Sequence, residues 1–219
     1  MEPFKVCGHL RDVTGTYPDA ALIVNAGKAG GDNARHAIAR QWLSEGIPYA
    51  FKDCPGIYES VRLWLSLRLD VDPKEINLTG SARLGQSLAP SKIGKPFGES
   101  SDLDIFIISS SLFDRLKSEF DHWMYAYESG ELQAANGREE YFWKENLDRI
   151  PKNLYRGFID SKFIPNHEQY KATRAIANAM YLLKGKLDVT PLAPSISDAS
   201  VRCYRSWDSY VRQISLSLK

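Results

Sequence analysis

The sequence predicts a mixed α/β (α+β) fold, one small sheet with helices packed around it. Three observations predict it. Apolar residues recur at helical spacing in several segments of the 219-residue chain, and short apolar runs bounded by glycine, proline and serine stand between them. Two of those runs, "EINLTG" and "DLDIFIIS", are joined by a loop rather than by a helix.

In chain order, "DAALIVNAGKAGGDNARHAIARQWLSEGIP" reads as a short strand, Ala21 to Val24, then a glycine-rich turn and a helix opened by Asp32 or Asn33. Free amides in such a turn can hold an anion, but it matches neither G-x-x-x-x-G-K-[ST] nor G-x-G-x-x-G, and a plain turn is the expectation. In "CPGIYESVRLWLSLRLDVDP", Ile57, Val61, Trp64 and Leu65 share one helical face, with Pro55 near the start and Pro73 beyond the end. That helix leads into a strand from Ile76 to Thr79. After the run ending at Ser109, a helix is expected from Leu112 to about Tyr127, then the loop "GELQAANGR" and the helix "EEYFWKENLDRI". "NLYRGFIDSKFIPN" reads as irregular or extended chain. "HEQYKATRAIANAMYLLKGKL" has Ile176, Met180 and Leu183 at helical spacing, and "TPLAPSISD" is a proline-marked linker. "ASVRCYRS" reads as a strand, and the helix "WDSYVRQISLSLK" gathers Trp207, Val211, Ile214 and Leu218 on one face. The expected organisation is a single domain over 1–219, with an N-terminal elaboration over about 1–54 and a helical insertion over about 111–190.

Lysine plus arginine (28) nearly balance aspartate plus glutamate (27), so no global field draws the chain to nucleic acid or an anionic membrane. Any phosphate binding must be local. The cysteines, Cys7, Cys54 and Cys203, are odd in number and lack zinc-site spacing, which fits small core residues in a reducing cytoplasm. No window reaches the roughly 18 apolar residues that span a bilayer, and a soluble, unexported protein without membrane insertion is expected. His9, His36, His122 and His167 show no metal-ligand spacing. Tyr125, Tyr127, Tyr141, Phe142 and Trp143 could stack a base, although such spacing favours core or interface.

The chemistry concentrates in "TGSARLGQSLAPSKIGKPFGESSDLDIFIIS". Strand alternation sends Asp102 and Asp104 to one face and Leu103, Ile105 and Ile107 to the other. Two carboxylates side by side repel, and a hard divalent cation turns that repulsion into a reason to bind. Gly80 and Ser81 follow the preceding strand directly, where a glycine admits close backbone approach and the next amides and hydroxyl can hold phosphate oxygens. Arg83, with Lys92 and Lys95 in the loop, can add charged donors. Metal plus fixed phosphate donors are what phosphoryl and nucleotidyl transfer need.

This order of strand, Gly-Ser, loop, Ser-Asp-x-Asp and apolar strand resembles the signature of the DNA polymerase β-like nucleotidyltransferase superfamily. "GSARLGQSLAP" with "PFGESSDLD" is similar to bacterial nucleotidyltransferases of anti-phage defence loci. The resemblance implies a polymerase β-like nucleotidyltransferase core, with Gly80 and Ser81 holding a triphosphate and Asp102 and Asp104 binding Mg²⁺, Mn²⁺ being an alternative. It implies transfer of a nucleotide from an NTP or dNTP to a hydroxyl acceptor, an oligonucleotide or a protein, with release of pyrophosphate. A defence effector protein and a second copy of the chain are the further partners it suggests. A toxin–antitoxin enzyme that modifies a protein or tRNA, and a catalytically degenerate nucleotide-binding protein, are the alternatives. Two departures stand out. "QSLAPSKIGKPFGES" lengthens the link between Gly-Ser and Asp102, and the third carboxylate usual in the superfamily has no obvious source. The last strand offers Arg202 and Arg205, so Asp160 is the first candidate, with Glu140 and Asp198 behind it.

Overall fold

The computed structural model describes residues 1–219. Asp19 starts the first long helix: its carboxylate accepts hydrogen bonds from the amides of Ala21 (2.8 Å) and Leu22 (3.3 Å). Helix α1 (Ala20–Gln41) then runs on, broken only at Gly31, where φ is 64° and ψ −156°. This corrects the strand expected at Ala21 to Val24. Ala20, Ile23, Val24, Ala34 and Ile38 are buried at helical spacing, and the glycine-rich stretch is a break within the helix rather than a turn between two elements.

Helix α2 (Pro55–Leu69) has Pro55 in its first turn and stops at Asp70 in a left-handed conformation, φ 54°. It delivers the chain into β1 (Ile76–Leu78), followed by the short helix α3 (Gly80–Leu84) and, after the loop, β2 (Leu103–Ile108). Helices α4 (Ser110–Glu128) and α5 (Gly137–Tyr155) come next, then strand β3 (Phe158–Asp160), helix α6 (Lys171–Asp188), strand β4 (Ala199–Tyr204) and helix α7 (Trp207–Leu216). Strand β3 lies inside the segment expected as irregular or extended, so the 111–190 region contributes to the sheet as well as supplying helices.

The sheet order is β1-β2-β4-β3, with β2 and β4 parallel and the other pairs antiparallel. Register places Leu78 beside Ile105, Asp104 beside Ser200, and Arg202 between Phe106 and Asp160. The mixed α/β class with one small sheet is therefore the observed one.

Alternation along β2 divides its side chains between two cores. Leu103, Ile105 and Ile107 enter the main core with Leu65 of α2, Leu116 of α4 and Ile176 of α6. Phe106 and Ile108 enter a smaller one with Tyr204, and with Tyr210 and Val211 of α7. The Phe106 and Tyr210 rings stack with centroids 4.1 Å apart. Each such aliphatic side chain contributes about 1.5–3 kcal/mol on burial, which lets β2 tolerate carboxylates at its mouth. A third cluster joins Ile23 and Ile38 of α1 to Leu84 and Leu218, seating the N-terminal segment on α3 and the end of the chain. Cys203 is buried, Cys7 and Cys54 are partly buried, and all three are unpaired. No helix is long and apolar enough to cross a membrane.

Candidate active site

The β1–β2 pairing brings the Gly-Ser turn to the aspartates. The Thr79 amide donates to the Asp104 carbonyl at 3.0 Å, and the next residue, Gly80, opens α3 with φ +65°. A Cβ at Gly80 would stand 3.3 Å from Asp104 Oδ2. Glycine is needed here twice, for its left-handed backbone and for the approach to the carboxylate. Ser81 follows, half-buried in the first turn of α3.

Asp104 shares its sheet face with Phe106, and Asp102 lies just ahead of the strand, exposed. Each carboxylate accepts a hydroxyl from the β4 side: Ser197 Oγ donates to Asp102 Oδ1 (2.6 Å), and Ser200 Oγ to Asp104 Oδ1 (3.1 Å). The parallel register of β2 and β4 aligns Ser200 with Asp104. The Asp104 carboxyl titrates above its ordinary range although the residue keeps an open face. Desolvation by its surroundings is the main cause and the Asp102 charge adds to it, while the Ser200 hydrogen bond, Arg202 and Lys162 pull the other way.

No cluster of three or more His, Cys, Asp or Glu side chains that could hold a metal forms in the structure. The donor set is two carboxylates. Mg²⁺ is commonly held by one or two carboxylates, with phosphate oxygens and water completing its shell, so Asp102 and Asp104 fit an ion that arrives with a phosphate chain rather than a closed protein cage.

Arg83 does not join them. It is 2% exposed, its guanidinium donating to the carbonyls of Glu45 and, at 3.3 Å, Ile47. It ties α3 to the chain after α1. Lys92 and Lys95 are exposed on the long loop, which folds back on itself through Ser87–Lys95 and Phe97–Gly85 backbone bonds (2.9 and 2.8 Å), and neither lysine is brought to the aspartates by a contact.

No family model, curated protein or solved structure matches the chain.

Asp160 was the first candidate for a third carboxylate. It ends β3, two strands away from Asp104, or about 10 Å across the sheet at ordinary strand spacing. Both its oxygens are taken by Arg202, at 2.8 Å from Nε and 3.1 Å from Nη2. Glu140 pairs with Lys144 on α5. Asp198 is exposed before β4 and accepts from the Ala199 amide (2.8 Å). The residue directly beside Asp104 on β4 is Ser200.

Sequence reasoning missed Ser197, Ser200 and Lys162. Strand alternation could have put Ser200 and Arg202 on one face, but nothing local reveals that β4 pairs with β2. A large cleft of about 1010 Å³, lined by His36, Arg40, Lys74 and Trp207 among others, does not include either aspartate.

Proposed function

We propose that the chain is a Mg²⁺-dependent nucleotidyltransferase that uses an NTP or dNTP and a hydroxyl acceptor. The observation that carries this reading is the contact between Gly80 and Asp104, which sets the Gly-Ser turn directly against one of the two carboxylates. Asp102 and Asp104 hold the ion, and Ser197 and Ser200 fix one oxygen of each, leaving the other free to ligate. Gly80 keeps the entry open for the triphosphate, and the α3 amides with the Ser81 hydroxyl donate to its oxygens. When bound, the ion supplies charge neutralisation of the phosphates and favours ionisation of the attacking hydroxyl. The acceptor oxygen forms a bond to the α-phosphorus, the bond to the bridging oxygen breaks, and pyrophosphate leaves with that electron pair.

A second reading has its own support. The β4 residue beside Asp104 is Ser200, not a carboxylate, and Asp160 is engaged by Arg202. Without that acid the acceptor's proton has no carboxylate base, and the protein binds nucleotide with slow or no turnover. The similarity of "GSARLGQSLAP" and "PFGESSDLD" to defence nucleotidyltransferases favours a cytoplasmic role in anti-phage defence with a nucleotide or oligonucleotide product. Modification of a protein or tRNA, as by a toxin–antitoxin enzyme, is the rival outcome.

Incubation with each NTP and dNTP labelled at the α-phosphate, plus Mg²⁺ or Mn²⁺, separates these readings. Pyrophosphate release with label in a free oligonucleotide or cyclic product supports the defence reading. Label in protein or tRNA supports the rival. Mg²⁺-dependent binding with no pyrophosphate supports the degenerate one.

A further inference from the structure

At the edge of β4 the sheet ends in a pocket of about 410 Å³, formed where β3 gives way to the turn Ser161–Phe163, where α6 crosses, and where β4 begins. Its walls are apolar and buried: Ile164, Ile176, Met180 and Val201 are each under 9% exposed. Among its polar groups are Lys162 after β3, Asn166 before α6 and Asp198 before β4. Lys162 forms no ion pair, Asn166 makes no side-chain hydrogen bond within the protein, and Asp198 uses one oxygen on the Ala199 amide and leaves the other free. A small, half-apolar cavity with a few converging polar groups is the usual form of a small-molecule site.

Ser200 connects this pocket to the aspartates. It lines the cavity and donates to Asp104 Oδ1 at 3.1 Å. Lys162 lines the same cavity. A ligand whose phosphates lie at Gly80 and Asp104 therefore has a cavity for its remaining part across Ser200. Among small-molecule sites, about 410 Å³ lies toward the small end, which suits one nucleoside and not two.

We propose that this pocket takes the nucleoside of the nucleotide substrate, its base against the Ile164, Ile176 and Met180 walls and its polar edges met by Asn166, Asp198 and Lys162. The inference rests on the transferase reading. It makes the pocket the place where base and sugar are chosen, and Ala177, half-buried on the α6 wall, a position that controls its depth.

The test is calorimetric titration of the full chain with each of the four NTPs plus Mg²⁺, and with Mg²⁺–tripolyphosphate, which has no nucleoside. Wild type is compared with Ala177→Trp, which fills the cavity, and Asn166→Ala, an exposed position where folding is not at stake. In wild type, the best NTP should bind more tightly than tripolyphosphate. Ala177→Trp should weaken that NTP by about tenfold or more, Asn166→Ala should alter the preference among bases, and neither should change tripolyphosphate affinity. NTP affinity and base preference unchanged in both variants would overturn the pocket assignment and leave the transferase reading intact. Wild type that binds tripolyphosphate as well as any NTP would also overturn the assignment. Wild type that binds neither would overturn both.

Discussion

Gly80, at the start of α3, and Asp104 of β2 meet so closely that one added carbon on the glycine would lie 3.3 Å from Asp104 Oδ2. Gly80→Ala therefore carries two costs, a left-handed backbone worth about 1–2 kcal/mol for a residue with a Cβ, and a displaced carboxylate. The expected outcome is a stability loss of that order in urea denaturation, with a larger proportional loss of pyrophosphate release than of fold. A variant with wild-type turnover would mean that the contact does not shape the site.

Asp104 carries a pH signature. Its folded pKa lies above the ordinary value of 3.8, so the folded state holds the proton more tightly than the unfolded chain. The protonated form's advantage is complete below the ordinary value and disappears as pH rises through the folded one. At neutral pH the metal-free charge thus weakens the fold. Asp104→Asn should melt at the same temperature as wild type or higher at pH 7 in a chelator, with the difference closing below about pH 3.8. Mg²⁺ with nucleotide should then raise the melting temperature of wild type only, by mass action. A variant markedly less stable than wild type at pH 7 would show that the carboxylate is a structural element.

The Asp160–Arg202 pair predicts a separation of stability from activity. The Asp160 side chain is 9% exposed but the Arg202 side chain 40%, so solvent screens part of the pair. Asp160→Asn is expected to cost about 1–3 kcal/mol, the range for leaving a buried polar group unsatisfied, and to leave Mg²⁺ affinity intact. Complete loss of metal-dependent activity with stability retained would restore Asp160 as a catalytic carboxylate.

How far the sequence could be read follows from which forces are local. Helices α2 and α7 and strands β2 and β4 were legible because their apolar periodicity is the same information that buries them, as with Leu65 and Val211 on helices and Ile105 and Ile107 on β2. Helix α1 was misread because "ALIV" is apolar enough to pass for a strand. The Asp19 cap and the spacing of Ala20, Ile23, Val24 and Ala34 decide for helix. Strand β3 has three residues, and its pairing with β4 is fixed by a partner far away in the chain. Within the site, strand alternation sets the sheet face of Asp104, whereas Asp102 lies just ahead of β2, where alternation does not reach. The direction of Arg83 and the partnership of Asp160 depend on packing between distant segments, which no local pattern encodes.

Arg83 supplies a test of that last point. Its buried guanidinium satisfies the Glu45 and Ile47 carbonyls, so Arg83→Met should lower stability by about 1–3 kcal/mol and leave the KM for nucleotide close to wild type. A large rise in KM with stability preserved would make Arg83 a phosphate donor instead.

The central claim is that Asp102 and Asp104 bind the ion on which nucleotide transfer depends. It is tested most directly by pyrophosphate release with NTP or dNTP and Mg²⁺ in wild type, Asp102→Ala and Asp104→Ala, each checked for folding by thermal melting. The account predicts metal-dependent release in wild type and loss of it in both variants, with melting temperatures unchanged or raised in the metal-free proteins. Full activity in both variants, or unfolding of either, would contradict it.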